Sequence, residues 1–200
     1  MKKIISTLLT LIACAAVGVA APEVGKPAPE FTLTDSNGKS HNLSDFKGKV
    51  VVLEWLNHGC PFVQKHYDGG NMQGLQKKYT GEGVVWLSIV SSAPGKQGHM
   101  SPEETNKTKA EKNSAATAVL LDEDGKVGRL YNAKVTPELF VINKEGVLVY
   151  AGAIDDKKST DAADVAGAKN HVAAALDETL AGKPVSVPTT TAYGCSVKYN

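Results

Sequence analysis

The feature that most constrains the fold is an apolar run that leads directly into the start of a helix. The segment KVVVLEWLN (49–57) is rich in β-branched residues and has the length of a buried central strand. Gly59 ends this run, and Pro61 suits the first turn of a helix that is predicted to extend towards Tyr67. Cys60 lies between them, so the sequence places a cysteine at a strand-to-helix junction.

Strand and helix patterns alternate along the rest of the chain. Apolar runs predict further strands, and a KEG turn predicts a hairpin. A polar segment with a capping box predicts a surface helix, and an alanine-rich segment predicts a final helix. In chain order these segments are 83–92, 101–113, 117–122, 135–155 and 162–182. The pattern predicts an α/β fold with a mixed central sheet.

The first 20 residues (1–20) predict a secretion signal that is not part of the fold. Lys2 and Lys3 form a basic start, an apolar stretch follows, and cleavage is expected after Ala20. The stretch is too short and too weakly flanked for a transmembrane span. A periplasmic or secreted protein is therefore expected. The alternative is a lipoprotein signal, in which Cys14 would carry a lipid anchor to the membrane.

Cleavage would leave Cys60 and Cys195 out of the three cysteines. An even number in an oxidising compartment allows one disulfide. The formal net charge of the chain is +1, so nothing in the sequence indicates nucleic acid as a partner. No metal or other cofactor is predicted.

The position of Cys60 predicts a reactive thiol. Backbone N–H groups at a helix start favour the thiolate, and so do nearby cations. The groups that we expect to stabilise the thiolate are His58, Pro61, Lys65 and His66. The thiolate is the nucleophile in disulfide exchange and in peroxide reduction. The alternatives are a buried structural thiol and one half of an inert disulfide.

At this point the sequence resembles a known family. The motif CPFV after a strand, the later segment VTPELFVI and the hairpin resemble the thioredoxin fold. The lead-in VGKPAPEFTLTDSNGKSHNLSDFKGKVVVL resembles the redoxin branch, the alkyl-hydroperoxide-reductase/thiol-specific-antioxidant superfamily. Within that branch, the CPFV cysteine and a tail that ends GCSVKY resemble a peroxiredoxin-like subgroup with a single cysteine in the first motif.

The resemblance implies a thioredoxin-like three-layer sandwich with a mixed central sheet. The redoxin domain would comprise residues 21–184, and a C-terminal tail, 185–200, would carry Cys195. The resemblance also implies that the bond between Thr136 and Pro137 is cis and faces the active cysteine.

Two departures from the family pattern limit what the resemblance implies. Thioredoxins carry a Cys-x-x-Cys motif, and the second cysteine is replaced here by Val63. Ordinary peroxiredoxins place a threonine at the position of Cys60, the peroxidatic cysteine at the position of Val63, and an arginine in the active site. The only arginine here is Arg129, in a different segment. The resemblance therefore does not establish peroxidase activity.

Glu54 is a charged residue inside the apolar run that precedes Cys60. Thioredoxins resemble this arrangement, with a buried acid that relays protons to the redox cysteines. A buried carboxyl group has a raised pKa and can act as a general base near neutrality. The alternative is a glutamate at the strand end whose side chain reaches solvent.

The function expected first is a thiol–disulfide oxidoreductase. Cys60 attacks, and Cys195 resolves the mixed disulfide; the partner is an external thiol or disulfide donor, or a protein substrate. We expect the tail to loosen when the Cys60–Cys195 bond is reduced. The alternatives are a thiol peroxidase, a copper-handling protein that uses Cys60 with His58 and His66, and a structural disulfide on an inactive fold.

Overall fold

The computed structural model describes residues 21–200. The predicted secretion signal and Cys14 lie outside this range, so cleavage and lipid anchoring stay predictions. Among the helices of residues 21–200, none has the length and apolar character needed to span a membrane.

A mixed sheet of seven strands forms the centre of the fold, with the order β2-β1-β5-β4-β3-β7-β8. The central strand β3 pairs in parallel with β4 and antiparallel with β7, and β4 pairs in parallel with β5. The strands are β1 (Thr32–Asp35), β2 (Ser40–Asn42), β3 (Val51–Trp55), β4 (Val85–Val90), β5 (Ala118–Leu121), β6 (Val135–Thr136), β7 (Glu138–Ile142), β8 (Leu148–Gly152) and β9 (Cys195–Ser196). Strands β6 and β9 form a separate antiparallel pair.

Helices cover both faces of the sheet. The helices are α1 (Pro61–Asp68), α2 (Asn71–Gly81), α3 (Pro102–Glu111), α4 (Lys126–Leu130) and α5 (His171–Leu180). Side chains of β3 alternate between two cores, as the two-residue repeat of a strand requires. Val52 lies in the core with residues of α1, α2 and α5, and Leu53 and Trp55 lie in the core with Val127 of α4. The three-layer α/β architecture is therefore as predicted.

The predicted elements are found with small shifts, with one exception. The capping box of α3 is present, because Ser101 Oγ accepts from the Glu104 N–H and Glu104 Oε2 accepts from the Ser101 N–H. The prediction of one helix over 162–182 is wrong. A 3₁₀ helix covers Ala162–Gly167, and α5 begins after Asn170, whose side chain caps it by accepting from the Ala173 N–H.

Candidate active site

Cys60 is the N-cap residue of α1, as predicted from the Gly-Cys-Pro sequence. Its carbonyl oxygen accepts hydrogen bonds from the N–H groups of Val63 and Gln64, and Pro61 occupies the first turn. The residue is 0 % exposed to solvent. The thiol therefore lies at the helix start, beneath other parts of the chain.

The segment around Pro137 lies against Cys60. The Thr136–Pro137 bond is cis, as the resemblance implies. The Cys60 thiol donates to the Thr136 carbonyl oxygen at 3.1 Å. The Thr136 hydroxyl is buried, has no hydrogen-bond partner within residues 21–200, and lowers the pKa of Cys60. Thr136 therefore contacts the sulfur with both its backbone and its side chain.

The C-terminal tail brings Cys195 to the same place. Strand β9 pairs antiparallel with β6, and Cys195 lies opposite Thr136. Gly194, with φ +151°, permits this approach, because a Cβ on it would lie 2.0 Å from the Thr136 carbonyl oxygen. Only glycine adopts this backbone region without strain. The fold thus brings Cys60 and Cys195 together from distant parts of the chain.

Hydrogen bonding between the two thiols separates their acidities. Burial opposes ionisation of Cys60. The thiol and N–H of Cys195, the N–H of Val63 and the hydroxyl of Thr136 outweigh it and lower the pKa of Cys60. Burial and the adjacent Cys60 raise the pKa of Cys195 to about 11. Cys60 is therefore the stronger acid of the pair.

The tail is docked although Cys60 and Cys195 are both free in the structure. Backbone hydrogen bonds made by residues after Cys195 hold the tail. The Val197 N–H donates to the Lys134 carbonyl oxygen, and the Ala93 N–H donates to the Lys198 carbonyl oxygen. Noncovalent contacts hold the tail in this arrangement. The expected loosening of the tail on reduction stays a prediction.

Arg129 belongs to these tail contacts. Its guanidinium donates to the Asn200 carbonyl oxygen at 3.0 Å and lies 4.6 Å from the centre of the Tyr199 ring. Tyr199 fills the space over Gly125 and Gly128, where an added Cβ would lie within 2.5 Å of the ring or its hydroxyl. The arginine therefore holds the end of the chain.

The histidines near Cys60 do not supply positive charge at neutral pH. Burial lowers the pKa of His58 to about 4 and that of His66 to about 4. The His58 ring contacts Tyr67, with 4.8 Å between ring centres. The interpretation of both histidines as cations is therefore wrong, because imidazoles with these lowered pKa values are neutral near pH 7.

Lys65 lies in a buried cluster with Asp155. Its side chain is 0 % exposed, and its ammonium group lies 3.6 Å from Asp155 Oδ2 and donates to the Lys157 carbonyl oxygen at 2.6 Å. His66 Nε2 lies 3.9 Å from the same Asp155 oxygen. These side chains have their own partners, so any effect of Lys65 on Cys60 acts at long range and stays a proposal.

Glu54 is 0 % exposed, so the alternative of a solvent-reaching side chain is wrong. It lies on the face of β3 that packs against α1 and α2. Four side chains donate to its carboxylate: Tyr67, Gln76, Trp86 and Ser88. Burial raises the pKa of Glu54, and the hydrogen bonds from these four residues offset only part of that rise. Tyr67 belongs to α1, the helix that Cys60 caps, and its ring also contacts His58.

The structure assembles residues that sequence reasoning did not select. Asn57 Oδ1 accepts from the Gly59 N–H at 2.8 Å, and Gln97 donates to the Gly59 carbonyl oxygen at 2.9 Å, which fixes the approach to Cys60. Sequence reasoning also did not select Asp155 and Tyr193, and here the Tyr193 hydroxyl donates to Asp155 Oδ1. The available signal was a polar residue directly after an apolar run, since Asn57 and Asp155 both follow strand segments.

The proposed copper ligands do not form a site. Within residues 21–200, no group of three or more histidine, cysteine, aspartate or glutamate side chains is arranged to hold a metal ion. His66 Nδ1 pairs with the Asn71 side-chain amide at 2.9 Å, and its other ring nitrogen faces Asp155. The copper hypothesis therefore has no assembled ligand set among the described residues.

The three-layer fold with a cis-proline beside a helix-start cysteine defines a thioredoxin-fold redoxin. Residues 24–151 match the AhpC/TSA family, and the chain belongs to that family. A curated relative, the thiol-disulfide oxidoreductase ResA of Bacillus thuringiensis subsp. konkukian, is 28% identical over 165 residues, which cover 74% of this chain and 88% of the relative.

Solved structures agree with this assignment. An uncharacterized conserved protein from Geobacillus kaustophilus superimposes with a TM-score of 0.77 at 28% identity, covering 89% of this chain and 93% of that protein. An exposed lipoprotein thioredoxin from Streptococcus pneumoniae superimposes with a TM-score of 0.51 at 27% identity, covering 69% and 97%. The predicted thioredoxin-like α/β fold is confirmed.

Proposed function

We propose that the protein is a thiol–disulfide oxidoreductase whose redox couple is Cys60 and Cys195. The observation that carries this proposal is the pairing of β9 with β6, which places Cys195 opposite Thr136, the residue that accepts from the Cys60 thiol at the cis-proline. The relatives that are named thiol-disulfide oxidoreductases support it. The CPFV and GCSVKY motifs, each with one of the two cysteines, define the subgroup to which we assign the chain.

The reaction follows from the difference in acidity between the two thiols. The Cys60 thiolate attacks one sulfur of a substrate disulfide; a mixed disulfide forms, and the other substrate sulfur leaves as a thiolate. Cys195 then loses its proton and attacks the Cys60 sulfur, which releases the second substrate thiolate. Two electrons pass from the cysteine pair to the substrate, and an external dithiol returns them by the reverse exchange.

Access to Cys60 requires movement of the tail. Cys60 is 0 % exposed in the docked arrangement, whereas Cys195 is partly exposed. A substrate disulfide is far larger than a water molecule, so the segment around Cys195 has to lift before Cys60 can attack. The tail acts both as a cover over the nucleophile and as the carrier of the resolving thiol.

Glu54 is the group to which we assign proton transfer. Its raised pKa suits a general base near neutrality, and Tyr67 connects it to the helix that begins at Cys60. The role of Glu54 is to accept the proton of Cys195 when the mixed disulfide is resolved. The cis-Pro137 segment holds Thr136 and β9 beside the reacting sulfurs.

Thiol peroxidase is the second candidate, because Cys195 is close enough to condense with a sulfenic acid on Cys60. Arg129 weighs against it, since it binds the end of the tail. We assign the protein to the periplasm or the extracellular space, where an oxidised couple persists. Cys14 would anchor it there if the signal is of the lipoprotein type.

Two assays on the same preparation distinguish these functions. Insulin reduction with dithiothreitol as electron donor should depend on Cys60 and exceed the rate without the protein. Hydrogen peroxide consumption with the same donor should stay at the background rate. Peroxide turnover without insulin reduction would reverse the assignment, and absence of both would leave a structural role for the thiol pair.

A further inference from the structure

We propose that Tyr193, Asp155 and Lys65 form a latch that positions Cys195 over Cys60. This proposal rests on the proposed Cys60–Cys195 couple and assigns positioning residues to it. We define the latch as these three side chains. Tyr193 comes two residues before Cys195 in the tail, so its attachment fixes where that thiol lies.

The attachment point is a buried carboxyl group. The Tyr193 hydroxyl donates to Asp155 Oδ1, which also accepts from the Lys157 N–H at 3.0 Å. Asp155 is 2 % exposed and Tyr193 is 6 % exposed. The other carboxyl oxygen, Oδ2, has no hydrogen-bond donor within residues 21–200, and its nearest cation is Lys65 at 3.6 Å. Tyr193 therefore satisfies a carboxyl group that would be poorly satisfied without the tail.

Helix α1 provides the other half of the attachment. The Lys65 ammonium group lies 5.7 Å from the centre of the Tyr193 ring, and the Phe62 ring packs edge-on against it, with centres 5.7 Å apart. The helix that begins at Cys60 thus also holds the tail on its next turns. The same helix therefore carries the nucleophile at its start and the contacts of Tyr193, two residues before the resolving thiol.

The chemistry of the latch fits positioning better than stability. A buried ion pair contributes little net stability, because desolvation offsets the attraction between the charges. A flexibly tethered group has an effective concentration in the millimolar range, and fixing its geometry raises that value strongly. Fixing Tyr193 therefore favours the Cys60–Cys195 bond over mixed disulfides with small thiols.

The variant Tyr193→Phe tests this proposal, because it keeps the ring and removes only the hydroxyl. In the reduced protein, we expect iodoacetamide to alkylate Cys60 about five- to tenfold faster, because the tail spends more time undocked. The equilibrium constant for forming the Cys60–Cys195 bond from oxidised glutathione should fall by a similar factor. Asp155→Asn should act in the same direction.

A second Lys–Tyr–Asp cluster offers a matched control. Tyr79 donates to Asp177 at 2.9 Å, beside Lys78, between α2 and α5. Tyr79→Phe removes an equivalent hydroxyl without touching the tail. We expect wild-type alkylation and the wild-type disulfide equilibrium from this variant.

The two readouts separate the latch from the redox couple. If the wild type forms no Cys60–Cys195 bond, the proposed couple fails, and the alkylation rate of Cys60 still measures the latch. Unchanged alkylation and an unchanged disulfide equilibrium in Tyr193→Phe would overturn the latch. Equal changes in the alkylation rate and the disulfide equilibrium of Tyr79→Phe would also overturn the latch, because they would reflect a general destabilisation of the protein.

Discussion

The two cysteines are held in different ways. Cys60 is fixed by regular structure, at the end of the strand-to-helix connection, and is 0 % exposed. Cys195 lies in a two-residue strand of an irregular tail and is partly exposed. The position of the nucleophile is therefore set by the strand and helix on either side of it, whereas the position of the resolving thiol is set by a few contacts of the tail.

Replacing either cysteine should have the largest effect on disulfide turnover, and the two replacements should differ in the step that they block. Cys60→Ser should abolish insulin reduction, because no thiolate remains at the helix start. Cys195→Ser should still attack but stall as a mixed disulfide, which mass spectrometry of a glutathione-treated sample detects. If Cys195→Ser turned over at the wild-type rate, resolution would rest on an external thiol.

Glu54→Gln should slow disulfide turnover by roughly ten- to a hundredfold, through loss of the general base. If the amide oxygen keeps the donors Trp86 and Gln76, the amide N–H groups face the Tyr67 hydroxyl, which donates in the wild type, so we expect a loss of about 1–3 kcal/mol in unfolding free energy.

The pH dependence separates the catalytic effect of Glu54 from the structural one. A base works when deprotonated, so the wild-type rate should rise as pH increases through the raised pKa of Glu54. This rise should be absent from the profile of Glu54→Gln. If Glu54→Gln were slower at every pH but kept the wild-type pH dependence, Glu54 would have only a structural role.

Gly194→Ala should release the tail while leaving the domain folded. Its Cβ would lie 2.0 Å from the Thr136 carbonyl oxygen, so β9 cannot pair with β6 as it does here. Alkylation of Cys60 in the reduced protein should accelerate about tenfold, as expected for loss of local protection. Gly74→Ala, in α2 with nothing within 4 Å of its Cβ, is the matched control and should leave the rate unchanged.

Thr136→Val should give the smallest effect. It removes the hydroxyl that helps hold the pKa of Cys60 below its ordinary value, so that pKa should rise. Alkylation rate against pH should show the wild-type Cys60 midpoint below about 8.5 and the variant midpoint higher, with Cys60 less reactive at neutral pH. A lower midpoint in the variant would contradict this role of the hydroxyl.

The sequence predicted those parts of the site that depend on local structure. A β-branched run followed by Gly-Cys-Pro was sufficient for the strand, the helix start and the position of Cys60. The cis bond at Pro137 followed from the family resemblance. These features could be predicted because strand periodicity and the conformational preferences of proline act over a few residues.

The parts that the sequence did not predict depend on tertiary contacts. Desolvation lowers the pKa of the partly buried His58 and of the buried His66, and no local pattern reveals it. Asp155 and Tyr193 meet only after the chain folds. The break before α5 depends on an Asn170 cap and on the pairing of Asn170 with Asp155, which a run of alanines conceals.

Peptide mapping of the oxidised protein tests the central claim most directly. The protein, expressed from residue 21 onwards, is equilibrated with oxidised glutathione, alkylated and digested without reduction. We predict one linked peptide pair that joins Cys60 to Cys195, and two separately alkylated cysteines after treatment with dithiothreitol. Two free thiols under oxidant, or two separate glutathione adducts with no linked pair, would contradict the proposed couple.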